Sequence, residues 1–308
     1  MQKVLITGGS GLLGVNWGLA IKDRYNVVLG LHDKNVNFED IETIRIDIEA
    51  VDNFRRAVDV LLPDIIVHTV GMTSVEECEE NPDAGFHVNC TLAANVATIC
   101  SEKGIKLIHV STDHLFDGEK RYLTESDPVC PVNTYGKTKL AGEQAVSEIY
   151  PEALIVRTNF FGWGGPYKHS FSDWIIQSLR NNVRIKLFDD VFFTPILIDQ
   201  LVLVAMNLIK KDIAGIVHVV GDERISKYDF CHKLAKKFDL PVSLIERGRF
   251  SDTNNLVLRP HDMSLSNEYV KLLHGTSLGD IDDFLTDLNA QERRGRAEVV
   301  AKGFVGNK

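Results

Sequence analysis

The sequence predicts an α/β fold: a doubly wound parallel sheet followed by a smaller lobe. Three observations point there. Short β-branched runs alternate with helical patterns through the first half, as strands joined by crossover helices require. A glycine-rich turn stands directly after the first of those runs. At 308 residues the chain is long enough for one large α/β domain and a second, smaller unit.

In chain order, the candidate strands are Lys3 to Thr7, Asn26 to Leu31, Thr43 to Ile46, Asp64 to Thr69, Lys106 to Ser111 and Ala153 to Arg157. Helical patterns fill the intervals, notably Val51 to Leu62 and Cys90 to Lys103, while the gap between Leu31 and Thr43 is too short for a full helix. These elements make residues 1–158 the cofactor-binding domain, completed by a return of the chain at about 190–222; residues 159–308 are mostly the substrate-binding lobe, with a tail after about 290. In the lobe, an amphipathic helix is expected from Phe171 to Leu179. Ser226-Lys227-Tyr228-Asp229 reads as a capping box opening a helix that runs to about Phe238.

Thr7-Gly8-Gly9-Ser10-Gly11-Leu12-Leu13-Gly14 follows the first strand and opens a helix, the context of a dinucleotide-binding (Rossmann) fingerprint. Gly8, Ser10, Gly11, Leu12, Leu13 and Gly14 are therefore assigned to a cofactor, whose pyrophosphate would sit on the free amides of the helix N-terminus. The second strand ends in Leu31-His32-Asp33-Lys34. A basic tip suits a 2′-phosphate and an acidic one a ribose hydroxyl, so His32 and Lys34 favour NADP(H), with NAD(H) the alternative through Asp33. Asp47, beside Ile48 after the third strand, is assigned to the adenine, a turn-forming role being the alternative.

Tyr135 and Lys139 stand four apart on an expected helix and so share a face. A lysine beneath a phenol lowers its pKa from about 10, and a phenol so tuned exchanges a proton with a carbonyl oxygen. Thr112 can hydrogen-bond the same oxygen and Asp113 a sugar hydroxyl.

Fingerprint glycines, then Ser111-Thr112-Asp113-His114-Leu115-Phe116-Asp117-Gly118, then Pro131-Val132-Asn133-Thr134-Tyr135-Gly136-Lys137-Thr138-Lys139 form an ordered set. The set resembles the extended short-chain dehydrogenase/reductase family and, within it, the dTDP-4-dehydrorhamnose reductase group. Arg157-Thr158, Phe193-Thr194-Pro195, Arg259-Pro260 and Ser264-Leu265-Ser266 extend the likeness, which spans residues 1 to about 270. The resemblance implies NAD(P)H-dependent reduction of a 4-keto nucleotide sugar, with Thr112, Tyr135 and Lys139 catalytic and Asn89 a structural helper. Thr73, Asp113, His114, Phe160 and Arg259 are assigned to substrate. The chain departs from the group's pattern at three places: His114 where an aromatic is usual, Asn159-Phe160 where Ser-Trp is common, and His68 to Thr73 where Asn-Ala-Ala is usual. It also resembles the methionine adenosyltransferase β subunit, which keeps the Tyr-Lys pair. A regulatory NADP-binding subunit is thus the rival reading, and an epimerase or 4,6-dehydratase a third. A dehydratase would be expected to carry glutamate where His114 stands.

A net charge of −9 and a pI near 5.6 argue against nucleic acid as a partner. The longest apolar run, Leu201 to Met206 with Leu208 and Ile209, is too short for a membrane span, and the N-terminus runs straight into Val4-Leu5-Ile6 without a leader pattern. Five scattered cysteines with no Cys-x-x-Cys pair fit reduced thiols in a cytoplasm. His109 and His114 lack a third ligand, so no metal is expected. Gln291 to Arg296 reads as a solvated tail, with an oligomer contact, such as a homodimer's, as the alternative.

Overall fold

The computed structural model describes residues 1–253 and 257–305; of the expected lobe and tail, 254–256 and 306–308 lie outside the described residues. The strands that position the site are β1 (Lys3–Thr7), β2 (Asn26–Leu31), β3 (Asn35–Val36), β4 (Glu42–Arg45), β5 (Ile65–His68), β6 (Lys106–Val110), β7 (Leu154–Arg157), β8 (Gly215–His218) and β9 (Phe304–Val305). Seven of them form one parallel sheet in the order β8-β7-β6-β5-β1-β2-β4. The strand order reverses between β1 and β5, and a cleft outside the carboxyl ends of the strands is expected at such a switch point.

Helices α1 (Leu12–Ile21), α2 (Val51–Leu61), α3 (Leu92–Lys103) and α4 (Thr134–Ile149) precede β7; α5 (Phe171–Arg180), α6 (Ile198–Lys210), α7 (Lys227–Lys237), α8 (Ile281–Arg293) and α9 (Arg296–Lys302) follow it. The pleat sends alternate residues to opposite faces. Val4, Ile6, Val27 and Leu29 pack with α1 and α6, whereas Leu5, Val28, Ile66 and Leu107 pack with α2, α3 and the end of α4. Burial on both faces explains why these strands read as unbroken apolar runs.

The six expected strands are present with ends shifted by a residue or so. β8, absent from the expected strands, pairs with β7 at the sheet edge. The helix expected from Cys90 instead starts earlier: residues 82–86 are helical, His87–Thr91 form a π turn, and α3 follows. Asn89 sits in the π turn, a common accompaniment of functional sites. Its amide receives the Met72 N–H and donates to the Met72 carbonyl and Thr138 Oγ1, each at 2.9 Å.

Two further expectations are corrected. At Ser226, Oγ accepts from the Asp229 N–H at 3.0 Å and donates to Oδ2 of Asp229 at 2.7 Å, but Ser226 is already paired with Phe192 and the return bond to its backbone is not made. The full capping box lies at Ser170, whose Oγ accepts from Asp173 N–H while Asp173 Oδ2 accepts from Ser170 N–H. The charged segment read as a solvated tail is ordered: α8 runs through Arg293, Glu292 pairs with Arg180 at 2.7 Å, and Val300 of α9 is fully buried. Of its few apolar residues Val300 is buried, while Val299 stays about half exposed. Among the described residues no helix is long and apolar enough to cross a membrane.

Candidate active site

The turn between β1 and α1 brings backbone to one end of the cleft. Gly11 N–H donates to the Gly8 carbonyl at 2.8 Å, and a Cβ on Gly14 would collide with that same carbonyl, so helix and turn pack as closely as glycine allows. Gly11 caps α1 without a side chain, which leaves the first-turn N–H groups of the helix free for an anion.

At the other end, β6 delivers Ser111-Thr112-Asp113 and α4 delivers Tyr135 and Lys139. Asn133 starts α4 by accepting the Gly136 N–H at 2.8 Å, and Glu79 accepts from the Thr134 N–H and hydroxyl at 2.7 and 2.8 Å, so Tyr135 in the first turn is held from both sides. A cleft of about 410 Å³ joins the two ends; Gly11, Leu12, Leu13, Thr73, Thr112, Asp113, His114, Tyr135, Lys139 and Phe160 line it. Gly8, Ser10 and Gly14 belong to the same turn and helix start but are not among the cleft-lining residues. His32 lies against Asp33 at 3.0 Å on the surface, and Lys34 is exposed nearby. Asp47 accepts from Glu49 and Ala50 N–H groups and from Asn53, tying the turn before α2, with the carboxyl held below its ordinary pKa by those bonds. Ile48 is buried beside it. Arg259 is ion-paired with Glu76 and is not among the cleft-lining residues.

The electrostatics differ from the expectation in one respect. Lys139 Nζ donates to the Val110 carbonyl at 2.8 Å, and no hydrogen bond joins it to Tyr135. Burial raises the Tyr135 phenol well above its ordinary pKa, only partly offset by the Thr112 hydroxyl. Burial also lowers Lys139 to about 8, against the pull of Glu143. A protonated phenol at neutral pH is therefore the resting state, desolvation outweighing the Thr112 hydrogen bond.

Asp113 is almost wholly buried, and its Oδ2 accepts from Asn159 Nδ2 at 2.6 Å while Oδ1 receives the Thr112 hydroxyl at 3.3 Å. His114 stands edge-on to Tyr135, ring centroids 5.4 Å apart, and burial lowers its pKa so that it is neutral. Four side chains are not assigned to the site by the sequence, where Asn159 stands only as a departure from the group's pattern at a position expected to face substrate. Asn159 grips Asp113; Lys168 bonds Thr73 across the mouth; His169 lines the cleft. Lys227, read only as part of a capping motif, holds its ammonium 3.4 Å from the Phe193 ring centroid and 4.8 Å from that of Phe171, with a pKa lowered by burial to about 8. Only proximity in space, not spacing in the chain, marks them.

Residues 1–292 match the family described as RmlD substrate binding domain. The chain belongs to that family. Like the RmlD family's solved members it has a parallel Rossmann-type sheet: a dTDP-4-dehydrorhamnose reductase from Bacillus anthracis, solved in complex with NADP, superposes with a TM-score of 0.83 over 94% of this chain and 100% of that one, at 24% identity, a likeness of fold. Among sequences, a Haloferax volcanii protein named "Probable low-salt glycan biosynthesis reductase Agl14" is 28% identical over 92% of this chain and 96% of its own length. Methionine adenosyltransferase 2 subunit beta of Mus musculus is 29% identical over 79% of this chain and 74% of its own.

Proposed function

We propose that this RmlD-family protein reduces the 4-keto group of a nucleotide-linked sugar with NADPH, as dTDP-4-dehydrorhamnose reductases do. The observation that carries the reading is the placing of the Tyr135 phenol, the Thr112 hydroxyl and the Asp113 carboxylate in one cleft whose far end is the uncapped N-terminus of α1. Those free amides and the close glycine turn fit a pyrophosphate. Lys34, exposed after β2, fits a 2′-phosphate better than a bare ribose. When bound, the nicotinamide supplies hydride to the carbonyl carbon.

The chain's own residues do the rest. Tyr135, kept protonated by burial, gives its phenolic proton to the ketone oxygen as negative charge develops there. Thr112 Oγ1 donates a hydrogen bond to the same oxygen. Asp113, aimed by Asn159, accepts from a neighbouring sugar hydroxyl. Lys139 keeps α4 docked on β6 and places a positive charge beneath the reacting oxygen. Phe160 and neutral His114 form the walls against the sugar, and Thr73 with Lys168 stands at the mouth.

The test is NADPH oxidation with a panel of dTDP- and UDP-linked 4-ketosugars. Turnover by the wild type, with Tyr135→Phe slower by about 10²- to 10⁴-fold and cofactor affinity retained, supports the reading. The similarity to methionine adenosyltransferase subunit beta supports a rival: a cofactor-binding regulatory subunit. Tight NADPH binding, no turnover on any sugar, and co-purification with a larger enzyme would favour that rival and sink the reductase.

A further inference from the structure

The last described residues lie beyond the part of the chain that the family spans, yet they pair with the short strand that follows the tip of β2. β9 pairs antiparallel with β3, Phe304 opposite Val36 and Val305 opposite Asn35, and Asn37 N–H donates to the Gly303 carbonyl at 2.7 Å. β3 begins directly after His32-Asp33-Lys34, the tip of β2. The Phe304 ring occupies the space beside Gly165, where any Cβ would run into it. It also meets the Tyr167 ring edge-on, centroids 5.6 Å apart and planes at 69°. Tyr167, half-exposed, in turn carries the Lys34 ammonium over its face, 4.5 Å from the centroid.

These contacts form a chain: β9 holds Phe304, Phe304 fixes the edge of Tyr167, and the face of Tyr167 fixes Lys34. Phe304 also rests on a loop whose other end, Lys168, bonds Thr73 on the opposite wall. An exposed lysine carries several rotatable bonds, and an aromatic face restrains its ammonium electrostatically. Nothing else among the described residues pairs with that ammonium at ion-pair distance.

We propose that Phe304 and Tyr167 are positioning residues for cofactor discrimination, holding Lys34 where a 2′-phosphate would meet it. The proposal rests on the NADPH-dependent reading above. It assigns to the C-terminal strand a role in telling the phosphorylated cofactor from the unphosphorylated one, since a hydroxyl at that position gains little from the held charge.

The experiment measures the Kd of NADPH and of NADH on the full chain by nicotinamide fluorescence, without substrate. The variants are Phe304→Ala, Phe304→Tyr, Tyr167→Ala and Lys34→Met. Phe304→Ala and Tyr167→Ala are expected to weaken NADPH by about two- to fivefold, the worth of an exposed cation–π contact, and to leave NADH unchanged. Lys34→Met should show at least that loss, and Phe304→Tyr should restore the wild-type ratio. Tyr167→Ala removes the link while leaving the β9–β3 pairing and the Phe304 side chain in place, so it answers the question even if Phe304→Ala destabilises the strand. If the NADPH-to-NADH ratio is unchanged in both alanine variants, or both cofactors weaken together, the proposal is overturned. A wild type that binds neither cofactor overturns the reductase reading itself.

Discussion

Lys139 donates its ammonium proton to the carbonyl oxygen of Val110 at 2.8 Å, fastening the helix of Tyr135 to the strand end that carries Thr112. The lysine is thus a clamp between two catalytic candidates before it is an electrostatic aid to one of them. Its burial has a cost. The fall from 10.5 to about 8 means that the charged form is disfavoured in the folded state.

Lys139→Met should therefore gain stability while losing activity. The penalty is fully present below about pH 8, where folded and unfolded chains are both protonated, and is relieved as pH rises from about 8 toward 10.5. At pH 7 the variant should unfold on the order of 1–3 kcal/mol later in urea than the wild type, a margin that closes above pH 10. A variant less stable at pH 7 would mean that the Val110 bond outweighs desolvation.

Activity should follow the same group. In the wild type kcat/KM for reduction should decline above about pH 8 as Lys139 loses its proton, and Tyr135, held higher by burial, should add no break below that. A flat profile to pH 10 would remove Lys139 from the reaction.

Asn159→Leu leaves the Asp113 carboxylate buried with one weak donor, the Thr112 hydroxyl at 3.3 Å. The expected cost is about 1–3 kcal/mol of stability, together with a raised KM for the sugar and a smaller change in NADPH affinity. Equal losses for sugar and cofactor would argue that Asn159 serves the fold alone.

Acid should unfold the protein steeply. His68 and His218 are held neutral by burial, their pKa values lowered to about 3, and His109, stacked on His68 at 5.5 Å, is lowered well below its ordinary 6.5. The unfolded chain takes up these protons first, so stability is lost as pH falls from about 6.5 toward 3. Each such imidazole adds about 1.4 kcal/mol per pH unit to the slope in that window. His109→Phe should reduce the slope by about that amount in urea titrations at pH 4 to 6; an unchanged slope would show that His109 does not titrate on unfolding.

Much of the fold was legible because burial on both faces leaves a plain record. Val4-Leu5-Ile6 and Ile65-Ile66-Val67 have no polar interruption, and the runs end within a residue of the strand ends. β8 left a fainter trace, since Gly215-Ile216-Val217-His218 is short and carries glycine at its start. The ordered end of the chain was hidden for another reason: Val299-Val300-Ala301 and Phe304-Val305 are short apolar stretches between charges, and Val300 joins the main core while Phe304 meets Tyr167, which no local pattern reveals. In the site, the backbone turn and the Tyr-Lys face are local patterns and could be read. Asn159 on Asp113 and Lys227 over Phe193 are joined only by tertiary packing.

The position of β8 bears on how the chain emerges from synthesis. β7 is formed by Leu154–Arg157, wholly buried, and its outer neighbour begins only at Gly215. Until that later stretch has been made, a growing polypeptide presents Leu154-Ile155-Val156 as a bare apolar edge, the kind that recruits other chains. A nascent chain stalled between these points should be a client for chaperones, and a fragment ending near Thr158 should aggregate where the whole protein does not.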